Sequence, residues 1–372
     1  MKMRSLTPEQ QKLYDSVMAD PYPELPEDPE TGTWYKVSLP GCVCSCGKPY
    51  YAYLKIGSEN KLMVMFEGGG VAINEYTAAR PGGLFYAGTQ RFYFDDVDFL
   101  SMGATMTGIG ANSENNPFAD WSVLCIGYAS GDFHTGTASG SYVDGDGDVI
   151  QTHFHGYEHL CKLMEITKKW VPEPEALLVT GFSAGGFATS ILTDDVISYY
   201  PDCKNIVCCV DSAILLYDDW HKAAVELWGS PAHISERLKT RDFSYDGLTA
   251  LYQKYGSRVK YLYLTSMRDC LLSQYQNYID HGVLEFTKEA GDRFEDYVKT
   301  LYQRMKAEMP EMVYYFFDLL EPAAPEEMGL TVHTLIASER AFDGCMDGIS
   351  ASTWIMDAVN RNPKSVGLSL VE

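Results

Sequence analysis

The sequence predicts an α/β fold in three layers: a doubly wound, mostly parallel sheet covered by helices on both faces. Three observations carry that expectation. Apolar runs of strand length alternate with stretches of helical periodicity, the pattern of βαβ units. The runs are continuous in Val, Ile, Leu and Tyr rather than alternating with polar residues, as in strands buried on both faces. The chain has 372 residues, 46% of them hydrophobic, enough for a sizeable core. No internal repeat or low-complexity segment interrupts the alternation.

Taken in order, residues 1–33 are polar, acidic and proline-bearing, with a short helical pattern in PEQQKLYDSVMAD and a turn-rich PYPELPEDPETG. They read as an N-terminal appendage, and residues 34–372 as a single domain. YYAYLKIG, KLMVMFEGG and WSVLCIGYA are the first strands, and GYEHLCKLMEITKKWV the helix after them. ALLVTGFSA is the next strand and GGFATSILTDDVISYY its helix. NIVCCVDSAILL and VKYLYLTSM are strands, EDYVKTLYQRMKAEM a helix, and YYFFDLL the last core strand.

The formal charge of −22 and a sequence pI near 4.7 argue against a nucleic-acid partner, because phosphate binding needs a basic face that releases counterions. The same charge repels polyanionic substrates at long range. MKMRSLTPEQQKLYDSVMADPYPELPEDPE lacks the apolar centre of a signal peptide, and no run is long and apolar enough to span a bilayer. The sequence therefore predicts a soluble, cytoplasmic protein with no membrane partner, secreted only if a leader precedes it. Ten cysteines are too few at this length for a disulfide scaffold. Cys42, Cys44 and Cys46 read as reduced cysteines near a turn, and Cys125, Cys208 and Cys209 as core residues.

The chemistry centres on Gly181-Phe182-Ser183-Ala184-Gly185, a G-x-S-x-G sequence between an apolar strand and a helix. A serine on so sharp a turn adopts strained backbone angles, needs small neighbours, and directs its hydroxyl to the helix N-terminus, where developing negative charge is favoured. The competing reading is a glycine-rich turn with a capping serine. Gly68, Gly69 and Gly70 follow the strand ending at Glu67. In α/β-hydrolases such a loop gives the oxyanion one backbone N–H, paired with that of the residue after the nucleophile, here Ala184.

A serine nucleophile needs a base, and the chain order in this fold is Ser, then Asp or Glu, then His. Only His221, His233, His281 and His333 follow Ser183. His333, in GLTVHTLIASERA after the last core strand, is the candidate base; His221 and His233 come too early, and His281 reads as the end of a helix. For the acid, Asp269 after VKYLYLTSM stands first and Asp211 after NIVCCV second, both at strand C-termini where sites form.

These blocks resemble, in order and spacing, the pectin acetylesterase and Notum family of serine carboxylesterases. The resemblance runs through CGKPYYAYL, FEGGG, NPFADWSVLCIGYASGDFHTG and GFSAGG to the Asp269 strand end and His333, roughly residues 42–340. It implies an α/β-hydrolase-like fold and a triad of Ser183, Asp269 and His333. It further implies an oxyanion hole of Gly69, Gly70 and Ala184, and an O-acetylated carbohydrate or small ester as substrate, with no cofactor. Where the family commonly continues its glycine loop with Trp-Cys, this chain has Val71-Ala72, and Ala129 stands where family members often carry cysteine. The resemblance therefore implies neither the disulfide nor the aromatic wall at that place. Val71, Asp132 and His134 are candidate pocket residues; Asp132 and His134 read equally as a loop held by its own hydrogen bonds. Alternatives are a hydrolase of another acyl ester, lipid-type or small, and a non-catalytic carbohydrate-binding relative.

YVDGDGDVIQTHFHGYEH superficially resembles a calcium loop through Asp144, Asp146 and Asp148, but Val149 and His155 stand where glycine and glutamate are required. His153, His155 and His159 lack the glutamate of a zinc helix motif. A surface hairpin leading into a helix is the expectation, with no metal assigned. Oligomeric state is not legible.

Overall fold

The computed structural model describes residues 22–82, 90–97 and 99–372. The helical pattern expected over residues 8–20 lies outside them. The strands are β1 (Trp34–Val43), β2 (Pro49–Lys55), β3 (Lys61–Phe66), β4 (Pro81–Gly82), β5 (Tyr93–Phe94) and β6 (Ser122–Ile126). They continue with β7 (Ala138–Val143), β8 (Val149–Phe154), β9 (Ala176–Phe182), β10 (Ile206–Asp211), β11 (Val259–Ser266) and β12 (Val313–Phe317). The main sheet has eight strands in the order β1-β2-β6-β3-β9-β10-β11-β12. β6, β3, β9, β10, β11 and β12 run parallel, while β2 pairs antiparallel with both β1 and β6.

Alternation across the pleat sends successive side chains into two separate cores. Leu62, Val64 and Phe66 of β3, Leu177 and Val179 of β9, and Ile206, Cys208 and Val210 of β10 enter one. Met63 and Met65, Leu178, and Val207 and Cys209 enter the other. The adjacent Cys208 and Cys209 are thus fully buried on opposite faces, and all ten cysteines are free.

The helices used below are α1 (Glu75–Ala78), α2 (Phe99–Met106), α3 (Gly156–Trp170), α4 (Ala184–Tyr199), α5 (Phe243–Tyr255), α6 (Cys270–His281), α7 (Lys288–Glu308) and α8 (Ala351–Val359). α3, α4, α5 and α7 contribute to the first core, α2 and α8 to the second. The layers are therefore helix, sheet, helix, as the alternation of runs predicted. α4 is buried along most of its length, which is why its sequence is apolar nearly all round instead of amphipathic.

β1 was not anticipated. Pro40 and Gly41 interrupt its sequence, and its register with β2 shifts between Ser38 and Val43, a bulge that accommodates both residues at a sheet edge. Residues 22–25 lie against it: Leu25 N–H donates to Lys36 O and Lys36 N–H to Pro23 O, both at 2.9 Å. β7 and β8 form the expected hairpin leading into α3. No helix among the described residues is long and apolar enough to cross a membrane.

Candidate active site

The parallel strands bring five chain segments to one end of the sheet. After β3 the chain enters Glu67–Gly70; after β9 it turns at Ser183; β10 ends in Asp211; β11 is followed by Asp269 and β12 by the loop carrying His333.

Ser183 has φ 55° and ψ −126°, a left-handed backbone that costs a non-glycine residue strain and is held only by its surroundings. Its N–H donates to Asp211 O at 2.9 Å, and its carbonyl accepts from the Gly186 and Phe187 N–H groups at 2.8 and 3.2 Å. The small residues of the motif have specific causes. A Cβ on Gly181 would stand 2.3 Å from Gly185 O, and one on Gly185 1.9 Å from Phe66 O, both inside hard contact. A side chain at either place would push Ser183 off its turn.

The glycine loop is equally constrained. A Cβ on Gly68 would come within 2.6 Å of Ser183 Cβ, and Gly70 has φ 79° with Phe92 O only 2.0 Å from where its Cβ would be. Three of the loop's four carbonyls are claimed: His134 Nε2 lies 3.0 Å from Glu67 O, Phe94 N–H donates to Gly69 O at 2.8 Å, and the Tyr128 hydroxyl donates to Gly70 O at 2.8 Å. Tyr275 OH bonds Val71 O, and Trp228 Nε1 donates to Ala72 O at 2.7 Å. Among the described residues the N–H groups of Gly69, Gly70 and Ala184 have no acceptor. Ala184 is the first residue of α4, whose opening N–H groups have no intrahelical partner. Holding the carbonyls fixed leaves these donors preorganised for an anion.

His333 Nδ1 is 2.7 Å from Asp269 Oδ2. Asp269 is fully buried and is the N-cap of α6: its Oδ1 accepts from Leu271 N–H at 3.1 Å and Leu272 N–H at 2.9 Å. One carboxylate therefore starts a helix and orients the imidazole. With Nδ1–H donating to a carboxylate, Nε2 carries the lone pair of the neutral ring. Burial disfavours protonated His333, but the charge and hydrogen bond of Asp269, followed by the charges of Asp211 and Glu321, outweigh it and hold the pKa above the ordinary histidine value. Ser183 and His333 line the same cavity, without a hydrogen bond between them. Such contacts are often loose until substrate is bound.

Asp211, second candidate for the acid, is used otherwise. Its Oδ2 accepts from the Leu335 and Ile336 N–H groups at 2.8 and 2.9 Å and its Oδ1 from the Ser212 hydroxyl at 2.9 Å. It fastens the loop just beyond His333 while its carbonyl holds the Ser183 amide. Burial pushes its carboxyl up to about 6, against the opposing pull of those N–H groups and Ser212.

The shared cavity has a volume of about 230 Å³. Gly69, Gly70, Val71, Ser183, Ala184 and His333, all anticipated, line it. Asp132 and His134 do not, and their assignment as pocket residues is corrected: both are fully buried behind it. Asp132 accepts from Ser130 Oγ at 2.6 Å, His134 N–H at 2.9 Å, Gly136 N–H at 3.1 Å and Gly156 N–H at 3.0 Å. These bonds hold the positive-φ pair Phe133 and His134 and tie the loop to the start of α3. Burial lowers the His134 pKa to about 4, so the ring is neutral and donates through Nε2–H to Glu67 O.

The aromatic wall missing at Val71-Ala72 is supplied elsewhere, by Phe92, Phe94, Phe133, Phe187 and Tyr275, with Leu271 and Leu272 beside them. Sequence reasoning missed these residues, as it missed Tyr128 and its bond across 58 positions. The one local signal was that Tyr128 and Phe133 lie in the block YASGDFHTG.

Asp144 closes its own hairpin turn, its Oδ1 accepting from the Asp146 and Asp148 N–H groups at 2.9 Å each. His153 and His155 share the Ser139 hydroxyl, and His159 stacks on Tyr50 at 3.7 Å. No cluster among the described residues is arranged to hold a metal ion.

The pectinacetylesterase family model matches residues 35–222, half of the chain. That span includes the glycine loop and Ser183; Asp269 and His333 lie beyond it. Among solved structures, the chain is similar to the Wnt deacylase Notum from Drosophila, with 16% identity and a TM-score of 0.59 over 89% of this chain and 94% of that one. At that identity the likeness is one of fold.

Proposed function

The chain belongs to the pectinacetylesterase family and is a carboxylic ester hydrolase; we propose that it acts through Ser183, His333 and Asp269, on an O-acetylated carbohydrate. The observation that carries this reading is His333, paired with the buried Asp269 at 2.7 Å, in the wall of the cavity that Ser183 and the three residues with unclaimed N–H groups also line. Ser183 Oγ attacks the ester carbonyl while His333 Nε2 takes its proton; Asp269 stabilises the imidazolium that forms. The Gly69, Gly70 and Ala184 N–H groups hold the oxyanion. His333 then protonates the departing sugar oxygen, leaving an acyl-Ser183 ester. Water, deprotonated by His333, attacks that ester, releasing the carboxylic acid and restoring the serine. Each step balances with these groups and water, so the chemistry calls for no cofactor.

Ser183→Ala is the direct test. Hydrolysis of nitrophenyl acetate falls by roughly 10⁴–10⁶-fold in kcat with thermal unfolding unchanged; turnover within about tenfold of wild type removes Ser183 from the mechanism.

A specific observation favours a second reading, a longer acyl group. The cavity of about 230 Å³ with its largely apolar lining exceeds the roughly 150 Å³ that accommodates a benzene ring, and an acetyl methyl fills little of it. The similar Drosophila protein is a deacylase of Wnt. Comparing kcat/KM on acetyl, butyryl and octanoyl nitrophenyl esters separates the two: a preference for octanoyl overturns the acetylesterase reading.

A further inference from the structure

A second cavity, of about 310 Å³, lies beside the first and includes Tyr142, Tyr217, Glu75, Asp219, Lys222 and Glu226 in its lining. Two independent chain segments join the cavities. Val71 lines the first and Ile73 and Asn74 the second; Leu215 lines the first and Tyr217 the second. Residues two apart are separated by at most roughly 7 Å along the chain, about the length of one sugar unit. Both segments leave the C-terminal ends of sheet strands, β3 and β10, the end at which Ser183 turns.

Apart from Asn74, whose side chain caps α1 by accepting from Thr77 N–H at 2.9 Å, the lining tyrosines and charged side chains have no protein partners. Among the described residues no hydrogen bond or ion pair engages the Tyr142 or Tyr217 hydroxyl, the Glu75, Asp219 and Glu226 carboxylates, or the Lys222 ammonium. Both tyrosines are only partly buried. Amphipathic rings beside exposed, unengaged carboxylates suit a ligand that has apolar C–H faces and hydroxyl donors at its edge. Three carboxylates against one ammonium also make the place unfavourable for an anion, in a chain that is already strongly acidic.

We propose that this cavity is a subsite for an uncharged sugar ring of the ester substrate, holding the residue next to the one that carries the acyl group. The proposal rests on the ester-hydrolase reading and narrows it: the substrate is a neutral acetylated oligosaccharide, not a polyuronate.

The test compares wild type, Tyr142→Ala and Tyr217→Ala on nitrophenyl acetate, acetylated xylotetraose and acetylated tetragalacturonate. Wild type favours the xylotetraose ester over the galacturonate ester. Each tyrosine variant loses about tenfold in kcat/KM on acetylated xylotetraose, chiefly through KM, the effect of removing one aromatic wall. Nitrophenyl acetate, which lacks a sugar, is hydrolysed as by wild type. Equal losses on all three esters, unchanged kinetics on acetylated xylotetraose, or a galacturonate preference overturn the subsite. Calorimetric titration of Ser183→Ala with xylotetraose keeps this separate from the ester reading. Binding that Tyr217→Ala weakens supports the subsite even if wild type hydrolyses no ester, and absence of binding overturns it.

Discussion

Substituting Asp211 distinguishes the carboxylate that orients His333 from the one that fastens its loop. In Asp211→Ala the Leu335 and Ile336 N–H groups lose their acceptor at positions that are fully buried. An unsatisfied buried donor costs about 1–3 kcal/mol, so the variant is destabilised by about 2–6 kcal/mol. Asp211→Asn behaves differently: an amide oxygen accepts both N–H groups, and the amide nitrogen donates to Ser212, whose hydroxyl can turn to accept. It also removes a buried charge. The Asp211 carboxyl titrates near about 6 in the folded protein, against about 3.9 in an unfolded chain. A raised carboxyl pKa means that the neutral form is favoured by folding; that contribution is full below about pH 4 and is lost as pH rises through about 6. Asp211→Asn therefore gains up to about 3 kcal/mol over wild type at about pH 8, a gain that shrinks at about pH 4. Thermal unfolding at the two pH values measures this. For activity, kcat on nitrophenyl acetate stays within about tenfold of wild type in Asp211→Asn, whereas Asp269→Asn loses roughly 10⁴-fold through the wrong imidazole tautomer. A folded Asp211→Asn that loses as much as Asp269→Asn refutes the assignment and makes Asp211 the orienting acid.

Two further outcomes follow from the same geometry. In the proposed mechanism His333 acts as a base only when neutral, and its pKa is held above the ordinary value, so kcat/KM is expected to rise with pH through a midpoint above about 6.5. Asp269→Asn moves that midpoint down, and a wild-type midpoint below it contradicts the described pairing. Tyr128→Phe removes the hydroxyl that donates to Gly70 O and accepts from Phe133 N–H. It costs about 1–3 kcal/mol of stability for the two bonds and about tenfold in kcat as the oxyanion donors loosen; unchanged kcat in this variant means that the glycine loop holds itself.

What the sequence disclosed depended on how far each feature reaches along the chain. Ser183 and the glycine loop were legible because their causes are local: a strand end, a turn with a left-handed residue, and neighbours too crowded for a Cβ. His333 was legible through chain order, which the fold imposes. The parallel strands were legible because burial on both faces leaves continuous apolar runs, while the bulged edge strand β1 was hidden by Pro40 and Gly41. Asp132 and His134 misled because a polar pair in a loop after a strand has the same sequence signature whether it faces a pocket or closes its own loop, and burial alone distinguishes the two. Phe92, Phe94 and Tyr275 reach the cavity from segments distant in sequence, and no local pattern marks that convergence.

The carboxylate of Asp269 begins α6 with one oxygen and holds His333 with the other. On the proposed mechanism, catalytic geometry and the first turn of a helix therefore share a single fastening. When heat loosens the start of α6, the imidazole loses its orientation in the same event, so inactivation reports the melting of that turn, whether or not the rest of the sheet has yielded. Enzyme activity here doubles as a local thermometer, read at the junction of one helix and one loop.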